Sequence, residues 1–223
     1  MTPPLTLVED LVLLSLDHST GAHLPLMPEA LAFGLAGAVL SDLEMSGRIA
    51  TAEGVVTFLN PTPLDNPALD ESLAAIAAEQ KKHPITYWLS VLSEKRTSIE
   101  EAALDRLIAR GILKREEKKI LWVFGVRRYP TIHNEERVEV RARLAGLIAG
   151  AQQPQHFDAT LISLLSACNL LGAIFTEKEI GSRSARISSI AASDPVGREV
   201  AAALRELIEA IVLAQSTSAP TPF

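Results

Sequence analysis

The stretch LTLVEDLVLLSL at residues 5–16 decides the fold. Thr6 followed three residues later by Glu9 is a capping box, in which each side chain answers a backbone amide that a helix start leaves unpaired. Behind it, Leu7, Leu11, Leu14 and their apolar neighbours leave the helix without a polar side. Such a helix has to be covered all round by other elements. Asp17 to Gly21 then ends it in turn-forming residues.

Working outward, the next helix is expected from about Glu29 to Met45, where Gly34, Ala36, Gly37 and Ala38 make one side thin enough for a neighbouring helix to approach closely. Arg48–Ala52 and Val55–Leu59 around Glu53-Gly54 predict a short hairpin. Asn66 with Pro67 behind it opens a further helix, another runs from about Pro84 to Leu92, and Thr97 with Glu100 forms a second capping box for a helix that Gly111 closes. A second hairpin is predicted from Ile112-Leu113, a polar turn at Glu116–Lys119, and Ile120–Val126. Helices then follow at Asn134–Ala149, His156–Leu171, Thr176–Ala191 and Pro195–Ala214, the last capped by Asp194. The expectation is a mainly α, single-domain helical bundle over residues 5–214 with two short β-hairpins, and a disordered tail at 215–223.

Composition agrees with that reading. Among 223 residues, 48% are hydrophobic but only 4% aromatic, so Leu, Ala, Ile and Val must fill the core, and Ala and Leu favour helix. A net charge of −6 argues against a dedicated nucleic-acid partner, which would need clustered Lys and Arg. The single Cys168, set among Leu164, Leu165, Leu170 and Leu171, is expected to be a small core residue in a reduced, cytoplasmic protein. The start of the chain carries Glu9 and Asp10 before its longest apolar run, unlike a signal peptide, and no uncharged stretch is long enough to span a bilayer.

Chemistry-bearing constellations are sparse. His18, His23, His83, His133 and His156 are scattered and form no H-E-x-x-H pair, and one cysteine makes no zinc knuckle. Gly34 and Gly37 lie inside a helix, not at a strand-to-helix turn, so they are no dinucleotide fingerprint. Glu9-Asp10 and Glu135-Glu136 fall in first helical turns, where the helix dipole favours acids. The expectation is a protein that is not an enzyme, with no catalytic residues, no metal and no cofactor.

One segment departs from this background. Between Arg106 and Arg128 the chain carries eight cations (Arg106, Arg110, Lys114, Arg115, Lys118, Lys119, Arg127 and Arg128) against Glu116 and Glu117. Inside it lies Ile120-Leu121-Trp122-Val123-Phe124, with one of only two tryptophans. Strand alternation would send Leu121 and Val123 to one face and Trp122 and Phe124 to the other. An indole ringed by cations suits the interface of an anionic membrane; packing of the same ribbon onto the body or onto a second subunit is the alternative. A helix, a glycine and a basic hairpin also describe a winged DNA-binding module, but Glu100, Glu101 and Asp105 put the wrong charge where phosphates would lie.

Taken in order, several stretches resemble the Golgi phosphoprotein 3 family: residues 5–16, Gly34-Leu35-Ala36-Gly37 leading to Leu43 and Gly47-Arg48-Ile49, Trp88–Ser93, Leu107 with Gly111-Ile112-Leu113, and His156-Phe157-Asp158 before an apolar helix. The likeness runs from about Leu5 to Leu213 and implies a bacterial, actinobacterial-type member, peripheral on membranes from the cytoplasmic side. It implies a hairpin that enters the membrane or self-associates, so that the contact residues would be Leu121, Trp122, Phe124, Arg115, Lys118, Lys119, Arg127 and Arg128. Family members resemble readers of phosphatidylinositol 4-phosphate that also hold protein clients. The headgroup-pocket positions correspond here to Met27, Ala36, Thr97 and Glu100, where a thioether, a methyl, a hydroxyl and a carboxylate replace an indole and three guanidiniums. Lys95 and Arg96 are the nearest substitutes. These replacements weigh against stereospecific recognition of the inositol phosphate, since a carboxylate repels it and fork-shaped donors are needed to hold it. The expected partner is an anionic phospholipid surface; a protein client or a second copy bound through the hairpin is the alternative.

Overall fold

The computed structural model describes residues 4–79, 81–120, 124–151, 153–192 and 195–217, with the backbone only for 118–120, 124–126, 195–197, 200 and 215–217. Mainly helical, it follows the order α1 (Leu7–Ser15), α2 (Pro28–Met45), β1 (Ile49–Ala52), β2 (Val55–Phe58), α3 (Pro67–Ala78), β3 (His83–Pro84), α4 (Ile85–Glu94), α5 (Arg96–Ala109), β4 (Glu116–Ile120), β5 (Phe124–Arg128), α6 (Glu135–Ala149), α7 (His156–Ala167), α8 (Leu171–Ile174), α9 (Glu177–Ile180), α10 (Ser184–Ala191) and α11 (Pro195–Thr217). β1, β2 and β3 form one antiparallel sheet, the expected hairpin with a third short strand, and β4 and β5 form the other. Among the described residues no helix is long and apolar enough to cross a membrane.

Every residue of α1 is buried, because α2, α5, α6 and α7 surround it. Taking a leucine such as Leu7, Leu11, Leu13 or Leu14 out of water stabilises the fold by about 1.5–3 kcal/mol each. Burial also takes the helix start out of water, so its free amides need partners inside the protein. The capping box is present: Thr6 Oγ1 accepts from the Glu9 amide at 3.2 Å and Glu9 Oε2 from the Thr6 amide at 2.9 Å. From α2, the Asp42 carboxylate accepts from the amides of Leu7 at 3.0 Å and Val8 at 3.1 Å. Glu9 and Asp10 do more than meet a helix dipole. Both are 1% exposed, and Glu9 takes Arg106 at 2.8 Å and Arg110 at 3.4 Å, whereas Asp10 takes Arg143 at 3.3 Å. Arg143 in turn holds Asp158 of α7 at 2.6 Å. Burying these carboxyl groups costs several kcal/mol, which the arginine donors offset in part.

Helix α2 is the second axis, in contact with α1, α3, α4, α5, α7 and α11. Its small residues do what the sequence predicts: a Cβ on Gly34 would lie 2.6 Å from Cys168 Sγ and 3.3 Å from Leu11 Cδ2. Cys168 is buried, and burial pushes its thiol up to about 12, which leaves it a packing residue.

Several expectations are corrected. No second capping box exists at Thr97: α4 runs into α5 through Lys95, Thr97 lies within α5, and Glu100 turns to other partners. Asn66 makes no side-chain cap for α3; Asp70 accepts from the amides of Leu64 and Asn66 instead. The polar run Glu116–Lys119 is strand, not turn, and its ladder runs on to the pair Ile120↔Phe124. The helix expected over His156–Leu171 ends at Ala167, where Asn169 has φ +57°, and the one expected over Thr176–Ala191 is broken by a 3-10 turn at Gly181–Arg183. α11 continues to Thr217, beyond the expected end at Ala214, while Asp194 lies outside the described residues.

Two measurements follow from this packing. Gly34→Ala lowers stability because its methyl meets Cys168 Sγ, and Cys168→Ala in the same chain restores part of the loss, a coupling that a double-mutant cycle by denaturant unfolding reads directly. Burial also raises the carboxyls of Asp10 and Asp42 from 3.8 to about 7. The folded state then keeps protons that the unfolded chain has lost between those values, so stability from these groups falls as pH rises from about 4 to about 7. The thermal midpoint is expected to be higher near pH 5.5 than near pH 7.5, and Asp10→Asn narrows that difference.

Candidate functional site

The second hairpin grows from a buried root. Ile112, Leu113, Tyr129 and Pro130 are buried, and Leu113 pairs with Thr131 as an isolated bridge. The Lys114 amide donates to Pro130 O at 3.1 Å and the Ile132 amide to Ile112 O at 2.9 Å. On the outer side the turn after α1 holds this root in place. Tyr129 donates its amide to Gly21 O at 2.9 Å, and Thr131 Oγ1 donates to His18 O at 3.1 Å. Gly21 has φ +62°, and a Cβ there would lie 2.1 Å from Pro130 N. Two independent constraints therefore require glycine at this position. Asp17 shapes the turn by accepting from Thr20 and Ser19, and these bonds hold its carboxyl well below the usual range.

Beyond the root, β4 and β5 pair in register from Glu116↔Arg128 through Glu117↔Arg127, Lys118↔Val126 and Lys119↔Gly125 to Ile120↔Phe124. Among the described residues their extensive contacts are with each other. Arg115 and Arg127 reach back to α5, pairing with Asp105 and Glu101, the latter at 3.1 Å, and the Arg115 guanidinium sits 6.0 Å from the centre of the Tyr129 ring. All four partners of these pairs are exposed, so each pair contributes no more than about 1 kcal/mol and opens easily. The eight cations counted along the sequence thus divide. Arg106 and Arg110 turn inward to Glu9, Lys114 pairs with Glu116, Arg115 and Arg127 pair with α5, and Lys118, Lys119 and Arg128 lie along the ladder. Leu121, Trp122 and Val123, and with them the expected alternation of faces, lie outside the described residues.

The family-pocket positions fall at the N-cap of α2, within α2 and within α5. Met27 is the N-cap of α2 and 46% exposed, Ala36 is fully buried within α2, and Thr97 is exposed in the first turn of α5. Glu100 is buried, and His23 Nε2 at 3.1 Å and Arg96 Nε at 3.4 Å already lie against its carboxylate. Arg96, the nearest substitute cation, is thereby engaged. Sequence reasoning singled out Glu101 and Asp105 as acids near the start of α5 but not as partners of the hairpin arginines, because only the folded hairpin brings them together.

With the helical body and the rooted, cation-bearing hairpin in view, the comparison with known families is decisive. The family model for Golgi phosphoprotein 3 matches residues 7–211. The chain belongs to the Golgi phosphoprotein 3 family. The match takes in α1, both hairpins and most of α11, so membership covers the fold as a whole. No curated protein matches the chain.

Gly21→Ala is expected to destabilise the protein by about 1–3 kcal/mol, the range for a left-handed backbone that a side chain strains, with the additional clash raising it further. Hydrogen exchange should quicken first at Tyr129 and Ile132, whose amides hold the root; exchange unchanged there would contradict this account of the anchor.

Proposed function

We propose that this member of the Golgi phosphoprotein 3 family is a non-enzymatic peripheral membrane protein of the cytoplasm that docks on anionic phospholipid through the β4–β5 hairpin. The observation that carries the reading is a ribbon rooted in the core, bearing Lys118, Lys119, Arg127 and Arg128 along its strands, whose extensive contacts among the described residues are between its own two strands. Between the two strands the sequence reads Leu121-Trp122-Val123, a composition suited to the depth of lipid headgroups. Arg115 and Arg127 keep their α5 partners until a phosphate competes, which exposed pairs permit.

The reading assigns no specificity for phosphatidylinositol 4-phosphate. Glu100 is a buried carboxylate at the position where that headgroup would need a cation, and Ala36 offers no donor. Contact with DNA is disfavoured by the same α5 acids, which face the hairpin's arginines and would repel a phosphate backbone. A second reading is favoured by one observation: a two-stranded ribbon has two open edges, each able to pair with another strand in a second copy or a protein client.

Co-sedimentation with vesicles separates these. Wild type binds phosphatidylserine vesicles, less so at high salt, and ignores phosphatidylcholine. Each cation near an anionic surface is worth about 1 kcal/mol, so Lys118→Ala with Lys119→Ala weakens binding roughly 30-fold. Trp122→Glu abolishes it, and phosphatidylinositol 4-phosphate adds nothing at matched surface charge. Equal binding by wild type and Trp122→Glu overturns the proposal; a sedimentation mass that rises with concentration and is lost in Trp122→Glu supports the second reading.

A further inference from the structure

Arg115, just before β4, and Arg127, on β5, tie both legs of the hairpin to one helix. Arg127 Nη1 donates to Glu101 Oε1 at 3.1 Å and Arg115 Nη2 donates to Asp105 Oδ1. Glu101 and Asp105 are one turn apart on α5, at the i and i+4 positions that share a helix face. The two arginines also share a face of the ribbon. Glu117 lies two residues after Arg115 and is the register partner of Arg127, and strand alternation puts all three on one side. Arg127 nevertheless pairs with Glu101 of α5. The arrangement is a two-point strap, with one arginine from each leg held by the helix from which the ribbon grows.

A phosphate that is to take Arg115 or Arg127 has to displace a carboxylate already in place. All four side chains of the strap are exposed, so the exchange needs no unfolding and each pair is weak. The strap therefore does not forbid docking. It sets how much negative charge a surface has to offer before arginine leaves carboxylate for phosphate. Attraction to such a surface grows with its anionic lipid content, whereas the hold of Glu101 and Asp105 is the same whatever the surface.

We propose that Glu101 and Asp105 are specificity-determining residues of the hairpin: they fix the anionic density below which the protein stays off a phospholipid surface. The inference rests on the docking reading above and adds to it a discrimination between surfaces that differ only in charge density. In the free protein the strap is closed; on a surface rich in anionic lipid Arg115 and Arg127 exchange both carboxylates for phosphates.

Co-sedimentation with phosphatidylcholine vesicles carrying a graded fraction of phosphatidylserine tests this. Glu101→Gln and Asp105→Asn each tighten binding about two- to fivefold, the range that an exposed pair can withhold, and together they move half-maximal binding to a lower phosphatidylserine fraction. Glu117→Gln removes the same charge from the ribbon itself and leaves both pairs in place, so it changes binding less than Glu101→Gln does. Without vesicles, the Nε–H resonances of Arg115 and Arg127 move in the α5 double variant. Resonances that stay put, equal binding by wild type and the α5 variants, or an effect of Glu117→Gln as large as that of Glu101→Gln overturns the inference and leaves docking standing. Absence of binding by every protein at every fraction overturns the docking reading, and the threshold with it.

Discussion

A helix that is apolar on every side can only sit in the middle, and its N-terminal amides and acidic first turn have to go there with it. That constraint organises this protein. Asp42 of α2 answers two of the amides, Glu9 draws in Arg106 and Arg110 of α5, and Asp10 draws in Arg143 of α6, which carries Asp158 of α7 with it. At the other end, Arg137 of α6 donates to the carbonyl of Leu13. Hydrophobic burial sets how tightly the four surrounding helices pack on α1, but it is indifferent to sliding. The buried ion pairs are directional and fix where along α1 each helix stops.

This matters for function because α5 and α6 are the two helices between which the second hairpin emerges. Fixing them fixes the root at Ile112-Leu113 and Tyr129-Pro130, and the Gly21 turn closes the remaining freedom. A ribbon held so firmly at its base can extend into water without folding back. Its own charges reinforce this arrangement: the arginines nearest the base lean on Asp105 and Glu101, whereas the lysines lie farther out along the ladder. From its root outward the described part of the hairpin passes from buried residues to arginines paired with α5 and then to a polar ladder.

Much of this architecture was legible in the sequence. Thr6 and Glu9 announced α1, the Gly34–Ala38 stretch announced a close helix contact, and Glu53-Gly54 marked the first hairpin. The misreadings share a cause. Thr97 and Glu100 have the spacing of a capping box, but a local pattern loses when a residue far away in the chain, His23, takes the carboxylate. The run Glu116–Lys119 looks like a turn because it is polar, yet it pairs residue by residue with β5, and backbone pairing needs no apolar side chain. Asn169, in the left-handed region, breaks an otherwise continuous apolar pattern that periodicity alone would carry through. Glu9 and Asp10 were legible as helix-start acids; that they are sealed in and paired with three arginines depends on contacts about a hundred or more residues distant, which no local pattern encodes.

The central claim is that the hairpin end enters the lipid interface, and its own indole reports on that. Trp88 is buried in the body, so Trp88→Phe leaves Trp122 as the sole tryptophan. With vesicles of anionic lipid brominated along the acyl chains, its emission should shift to the blue and be quenched, and with zwitterionic vesicles it should do neither. If the protein collects on anionic vesicles while that emission stays unshifted and unquenched, the hairpin is not the element that docks.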